Sequence, residues 1–132
     1  MYNSLMSNIR NKLKPRTWRS KKSQEDYKAF RTNLFMSGEC PLCSVKIKQE
    51  FKHWIIVKNK FPYDAVARTH DLIVSKRHVG WNKLSKLELA ELKKLKETYL
   101  CQNYSFLLEA FAKDRSVPNH YHLHLINPKL NC

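Results

Sequence analysis

The sequence is poor in glycine, with two in 132 residues, and poor in acid, with 11 Asp and Glu against 25 Lys and Arg. So little glycine excludes a collagen-like repeat. No apolar run approaches the roughly 18–20 residues that span a bilayer, so no membrane contact through a spanning helix is expected. The patterning also excludes a coiled coil. Four cysteines in a chain read as cytoplasmic suggest thiols or metal ligands before disulfides, which excludes a disulfide-dense toxin. The first residues, Met1 to Ser7, lack a basic stretch followed by a long apolar one, so no signal peptide is expected.

Apolar material is sufficient for packing: 42% of residues are hydrophobic and 11% aromatic. At this length one domain with one core is expected. A net charge of +14 draws polyanions such as nucleotides or nucleic acid, although it equally suits a solubility surface without a dedicated partner. The charge is concentrated early. Arg10, Lys12, Lys14, Arg16, Arg19, Lys21 and Lys22 precede any acidic residue. Residues 1–22 therefore read as a basic arm, either a solvated tail or a contact to nucleic acid, and 23–132 as the single domain.

Ser23-Gln24-Glu25-Asp26 predicts a helix start with Ser23 as N-cap. Tyr27, Phe30, Leu34 and Phe35 continue at helical spacing, and Gly38 is the stop. Strands are expected at Phe51–Val57, His70–Ser75, Tyr104–Phe111 and His120–Ile126. Ser85-Lys86-Leu87-Glu88 is a capping box opening the strongest helix, with an apolar face of Leu84, Leu87, Leu89, Leu92, Leu95 and Leu100 and with Cys101 packed beneath it. The whole predicts an α+β fold: an antiparallel sheet of about five strands, one long helix and an additional N-terminal helix.

The most informative stretch is His120-Tyr121-His122-Leu123-His124-Leu125-Ile126. In a strand the three imidazoles project to one side, about 6.5–7 Å apart, while Tyr121, Leu123 and Leu125 face the core. Crowded imidazoles need partners when partly buried. The alternatives are a satisfied row on an edge strand or a bare metal site.

This run resembles the signature of the histidine triad (HIT) family, His-φ-His-φ-His-φ-φ with φ apolar, when Tyr121 counts as apolar. The block His70-Asp71-Leu72-Ile73-Val74-Ser75-Lys76-Arg77-His78 resembles that family's middle strand. The likeness covers roughly Cys40 to Pro128. It implies a HIT-like fold and hydrolysis or transfer of nucleoside monophosphates by attack on the α-phosphorus. On the matching positions, His122 is the nucleophile that forms a nucleotidyl-histidine, His124 contacts phosphate oxygens, and His70 supports the triad. Ser116 falls where relatives place a polar residue near the phosphate or leaving group. Imidazole suits the task, being largely neutral near its ordinary pKa of about 6.5.

Cys40-Pro41-Leu42-Cys43 can supply two thiolates to one tetrahedral Zn²⁺, which is half a ligand set. The resemblance completes it with His78 and His120, making the zinc structural. A redox reading of CPxC requires a helix starting at the first Cys, whereas here a helix ending at Gly38 precedes it. Cys132 has no motif support. His53 is expected to be structural or exposed.

Two departures bear on substrate. No glycine follows Gly80, where the family often has a glycine-rich stretch before its triad, and Asp64 is not clearly at the ribose position. Phe61-Pro62-Tyr63-Asp64 looks more like the uridylyltransferase-related side of the superfamily. Three functions follow: a zinc-stabilised nucleotide hydrolase or nucleotidyltransferase, an aprataxin-like enzyme acting on nucleic-acid 5′ ends through the basic arm, or a non-catalytic nucleotide- or RNA-binding module. Relatives often pair as homodimers, and the exposed face of residues 84–100 suits a monomer as well.

Overall fold

A computed structural model describes residues 18–129. The basic positions Arg10, Lys12, Lys14 and Arg16, together with Cys132, lie outside them. The described chain is α+β: helix α1 (Lys21–Ser37), strands β1 (Ile47–Glu50), β2 (Trp54–Lys58) and β3 (Ala67–Ser75), helix α2 (Lys86–Leu95), then β4 (Phe106–Leu108) and β5 (His122–Pro128). The five strands form one antiparallel sheet in the order β1-β2-β3-β5-β4.

Strand alternation sorts the chemistry from the packing. On one face Trp54, Ile56, Ile73, Leu123 and Leu125 pack against Leu92, Leu95 and Leu100 of the helical segment. Full burial of each such side chain contributes roughly 1.5–3 kcal/mol. The opposite face carries Ile55, Val57, Leu72 and Val74, with Leu42 over them. Because Leu72 lies opposite His124 and Val74 opposite His122, both histidines share that second face. Helix α1 lies on this side, and Tyr27, Phe30 and Leu34 line the cavity there.

Several elements depart from the sequence reading, each for a local reason. Helix α1 begins three residues early, because Ser20, not Ser23, is its N-cap and accepts from the Ser23 N–H at 3.2 Å. Ser20 is itself fixed from across the chain: its N–H and hydroxyl donate to the two Asp64 carboxylate oxygens at 2.7 and 2.9 Å. Gly38 ends the helix in the left-handed conformation at φ 71°, as the sequence suggests. Residues 51–53 form the turn into β2, closed by Phe51 N–H donating to the Trp54 carbonyl at 2.8 Å. Strand β1 gave no apolar signal, since all four of its residues are exposed. The Tyr104–Phe111 strand shortens to Phe106–Leu108, because Arg115 Nε takes the Ala110 carbonyl at 2.8 Å. The last strand starts at His122, since the Tyr121 N–H donates to Val79 rather than to a sheet neighbour.

The capping box is present as expected, with Ser85 accepting from the Glu88 N–H and Glu88 reaching back to the Ser85 N–H. The buried stripe of α2 is narrower than the leucine pattern suggests. It runs Glu88, Leu92, Leu95 at i, i+4, i+7, leaving Leu87 and Leu89 exposed. A π-helical turn at Lys96–Leu100 then shifts the phase, so that Leu100 is buried and Cys101 is exposed rather than packed beneath the helix.

Glu88 is buried and holds the loop after β3 to α2. Its carboxylate accepts from Arg77 Nη2 at 2.5 Å and Nε at 3.2 Å. The Arg77 hydrogen bonds pull its pKa down to about 2 from an ordinary 4.5. A depressed carboxyl adds stability that is complete above about pH 4.5 and is lost as pH falls through about 2. Glu88→Gln is therefore expected to cost about 2 kcal/mol at pH 7, as charged hydrogen bonds do. Urea melts at pH 7 and pH 3 should show the deficit shrinking in acid. An equal deficit at both would mean the charge is not its source.

Candidate active site and metal cluster

β3, its following loop and β5 bring two groups of side chains together. The first is a cluster of Cys40, Cys43, His78 and His120, whose potential ligand atoms all lie within 4.8 Å of one another. Cys43 Sγ is 3.2 Å from His78 Nδ1 and 3.6 Å from His120 Nδ1; Cys40 Sγ is 3.5 Å from His120 Nδ1. The two Nδ1 atoms are 3.3 Å apart. A tetrahedral Cys₂His₂ site with ordinary zinc bond lengths has S···N edges of about 3.6 Å and N···N edges of about 3.3 Å. The donor set therefore fits a tetrahedral divalent cation.

The ring chemistry agrees with this fit. His120 Nε2 donates to the Ser75 carbonyl at 2.7 Å, which leaves Nδ1 as a bare lone pair facing the cluster. Burial and the adjacent Cys40 push the Cys43 thiol up, so a cation would supply what paired thiolates lack. A turn holds the cysteine pair, with Cys43 N–H donating to the Cys40 carbonyl at 3.4 Å.

The second group is a chain of imidazoles whose tautomers are fixed by their partners. The Tyr63 backbone N–H donates to His70 Nδ1 at 3.0 Å, so the proton of neutral His70 sits on Nε2. That Nε2 lies 2.8 Å from His124 Nδ1 and donates to it, which places the His124 proton on Nε2. His122 Nδ1 is 2.9 Å from the His120 carbonyl and must donate there, so its Nε2 keeps a lone pair. One imidazole thus offers a lone pair and the next an N–H. Their ring centres are 5.6 Å apart.

Both rings line a cavity of about 990 Å³ that α1, the 59–62 segment and the loop at Ser116 complete. Ser116 stands at its edge, its hydroxyl hydrogen bonded to Tyr27 of α1. His53 lies apart from this region, its Nδ1 3.5 Å from Glu91 Oε2.

Burial disfavours the charged form throughout. Desolvation, then the Arg19 charge, lowers His70 to about 4; desolvation, then His70 and His122, lowers His124 to about 3. His122 is also lowered, chiefly by burial. The unfolded chain binds protons near pH 6.5, so it holds more of them than the folded one between about pH 6.5 and 4. The contribution of these rings to stability is thus complete above pH 6.5 and is lost as pH falls toward 4. His124→Gln should flatten that slope by up to about 1.4 kcal/mol per pH unit, read from urea midpoints between pH 4.5 and 6.5. A slope parallel to wild type would refute the neutral assignment.

Some residues of the site escaped the sequence reading. Arg19 sits with its guanidinium carbon 4.0 Å from the Tyr27 ring centre and 4.8 Å from that of Tyr63. Tyr63 stacks on His124 at 5.4 Å between centres. Asp64, considered as a ribose contact, gives both oxygens to Ser20 instead. Trp18, which interrupts the basic arm beside Arg19, packs edge-on against Tyr63 at 5.1 Å.

No known protein family profile matches the sequence, and no curated protein matches it. Among solved structures the chain is similar to a HIT family hydrolase from Clostridium thermocellum. The identity is 18% and the TM-score 0.44, over 74% of this chain and 87% of that one.

Proposed function

We propose that this protein is a nucleotide hydrolase or nucleotidyltransferase of the histidine triad type. The observation that carries the reading is the tautomer chain. His122 Nε2 keeps its lone pair because Nδ1 is tied to the His120 carbonyl, and His124 Nε2–H is available because Nδ1 accepts from His70. His122 Nε2 attacks the α-phosphorus and forms a P–N bond, while the bond to the leaving group breaks and its electron pair departs with that group, which takes a proton from water. His124 Nε2–H donates to a phosphoryl oxygen as charge builds there. His70 is a positioning residue that fixes the His124 tautomer. Water, or another acceptor, then attacks phosphorus and returns the pair to His122.

Cys40, Cys43, His78 and His120 would hold a structural zinc, which supplies rigidity at the start of the triad segment and no step of the reaction. Residues 23–132 form the catalytic domain in this reading, and the substrate is a nucleotide or nucleotide conjugate. The test is turnover of a panel: nucleoside phosphoramidates, dinucleoside polyphosphates, a nucleoside-diphosphate sugar and a 5′-adenylated oligonucleotide. Activity that vanishes in His122→Ala supports the mechanism. A folded, zinc-loaded protein that turns over nothing moves the binding-module reading to first place.

A second reading, action on nucleic-acid 5′ ends, draws on the cavity's charge: its lining carries Arg19, Lys46, Lys48, Lys58 and Lys60 against a single acidic residue, Glu39. Preference for the adenylated oligonucleotide, falling steeply with salt, would favour it.

A further inference from the structure

Arg19 differs from Lys48, which shares its cavity. Lys48 already spends its ammonium on Asp71, at 2.7 Å. Arg19 is half-buried and held in one orientation. Its Nε donates to the Phe61 carbonyl at 2.8 Å, and the guanidinium carbon lies 4.0 Å from the Tyr27 ring centre and 4.8 Å from that of Tyr63. Among the described residues no carboxylate lies within 4 Å of it. Asp64, which acts on it through space, has both oxygens engaged by Ser20.

A partly desolvated cation without a carboxylate partner is costly unless an anion meets it. Guanidinium carries five N–H donors, of which Nε uses one here, and its fork matches phosphoryl oxygens two at a time. The aromatic cradle limits the side-chain entropy that such binding would otherwise cost. Tyr63 connects the cradle to the imidazoles, through its N–H to His70 and its ring against His124.

We propose that Arg19 binds a phosphate of the substrate, from a segment whose composition reads as a basic arm, either a solvated tail or a contact to nucleic acid. The assignment rests on the nucleotide reading above and names the residue that selects phosphorylated over unphosphorylated ligands. It is a substrate-binding residue, so its loss acts on affinity before turnover.

The test is calorimetric titration of the full chain with a nucleoside, its 5′-monophosphate and its 5′-diphosphate. It uses wild type, Arg19→Gln, Arg19→Lys and Arg31→Gln. Arg19→Gln should weaken one or both phosphorylated ligands on the order of 10–100-fold, with the nucleoside unchanged. Arg19→Lys, which keeps the charge and can still pack on the rings, should retain part of that affinity. Arg31→Gln removes the same charge from α1 and should have little effect.

Equal weakening of nucleoside and phosphates would overturn the assignment, as would no loss or an equal loss in Arg31→Gln. If wild type binds the phosphates and its turnover needs His122 while Arg19→Gln matches wild type, only the Arg19 assignment falls. If folded wild type binds none of the three ligands, the nucleotide reading falls with it.

Discussion

His122→Ala is expected to lower turnover of the preferred nucleotide substrate by at least about 10⁴-fold, because removing a covalent nucleophile removes the pathway rather than one contact on it. Substrate affinity should change little, since His124 and the cavity wall remain. His122 is half-buried with its ring bonded to a backbone carbonyl, so the variant should fold. Single-turnover mixing with a substrate labelled at the α-phosphate should trap a labelled wild-type chain in acid-labile, base-stable form, as a phosphorus–nitrogen bond requires. His122→Ala should trap none. A variant that retains a tenth or more of wild-type turnover would remove His122 from the reaction.

The second large effect is on stability. The chain as purified is expected to hold one zinc ion, and its removal by a chelator should lower the melting temperature by about 10 °C or more. The basis is that structural zinc contributes many kcal/mol when its ligands come from separate segments, and each kcal/mol is worth a few degrees at this size. Here the ligands come from the Cys40–Cys43 turn, the loop after β3 and the residue before Tyr121. Cys43→Ser should lower metal content and melting temperature together, and added zinc should restore the stripped wild type. A metal-free protein that melts where the loaded one does would show that the cluster is not a structural centre.

The sequence reading and the structure agree where a local pattern decides the outcome. The alternation of His with apolar residues in His122–Ile126 places His122 and His124 on one face because strand geometry permits little else. The Ser85–Glu88 box works at a distance of three residues and was equally legible. Cys40, Cys43, His78 and His120 span 80 positions, and only the family resemblance suggested them as a set; the structure brings those four together.

What the sequence concealed depends on distant partners. The start of α1 is set by Asp64, 44 residues away, so the nearer Ser23 looked like the cap. β1 is exposed along its length and carries no hydrophobic period. The tautomer of His70 depends on a backbone N–H seven residues upstream, which no side-chain pattern encodes. Arg19 and Tyr27 reach the cavity because the Ser20–Asp64 contact fixes the start of α1 between them.

His120 takes part in both halves of the site: its imidazole faces the thiols, and its carbonyl holds the His122 ring. The orientation of the His122 ring is thus set by the same residue whose side chain joins the Cys/His cluster. Two groups that look separable on the surface are joined through one residue, by its side chain on one side and its main chain on the other.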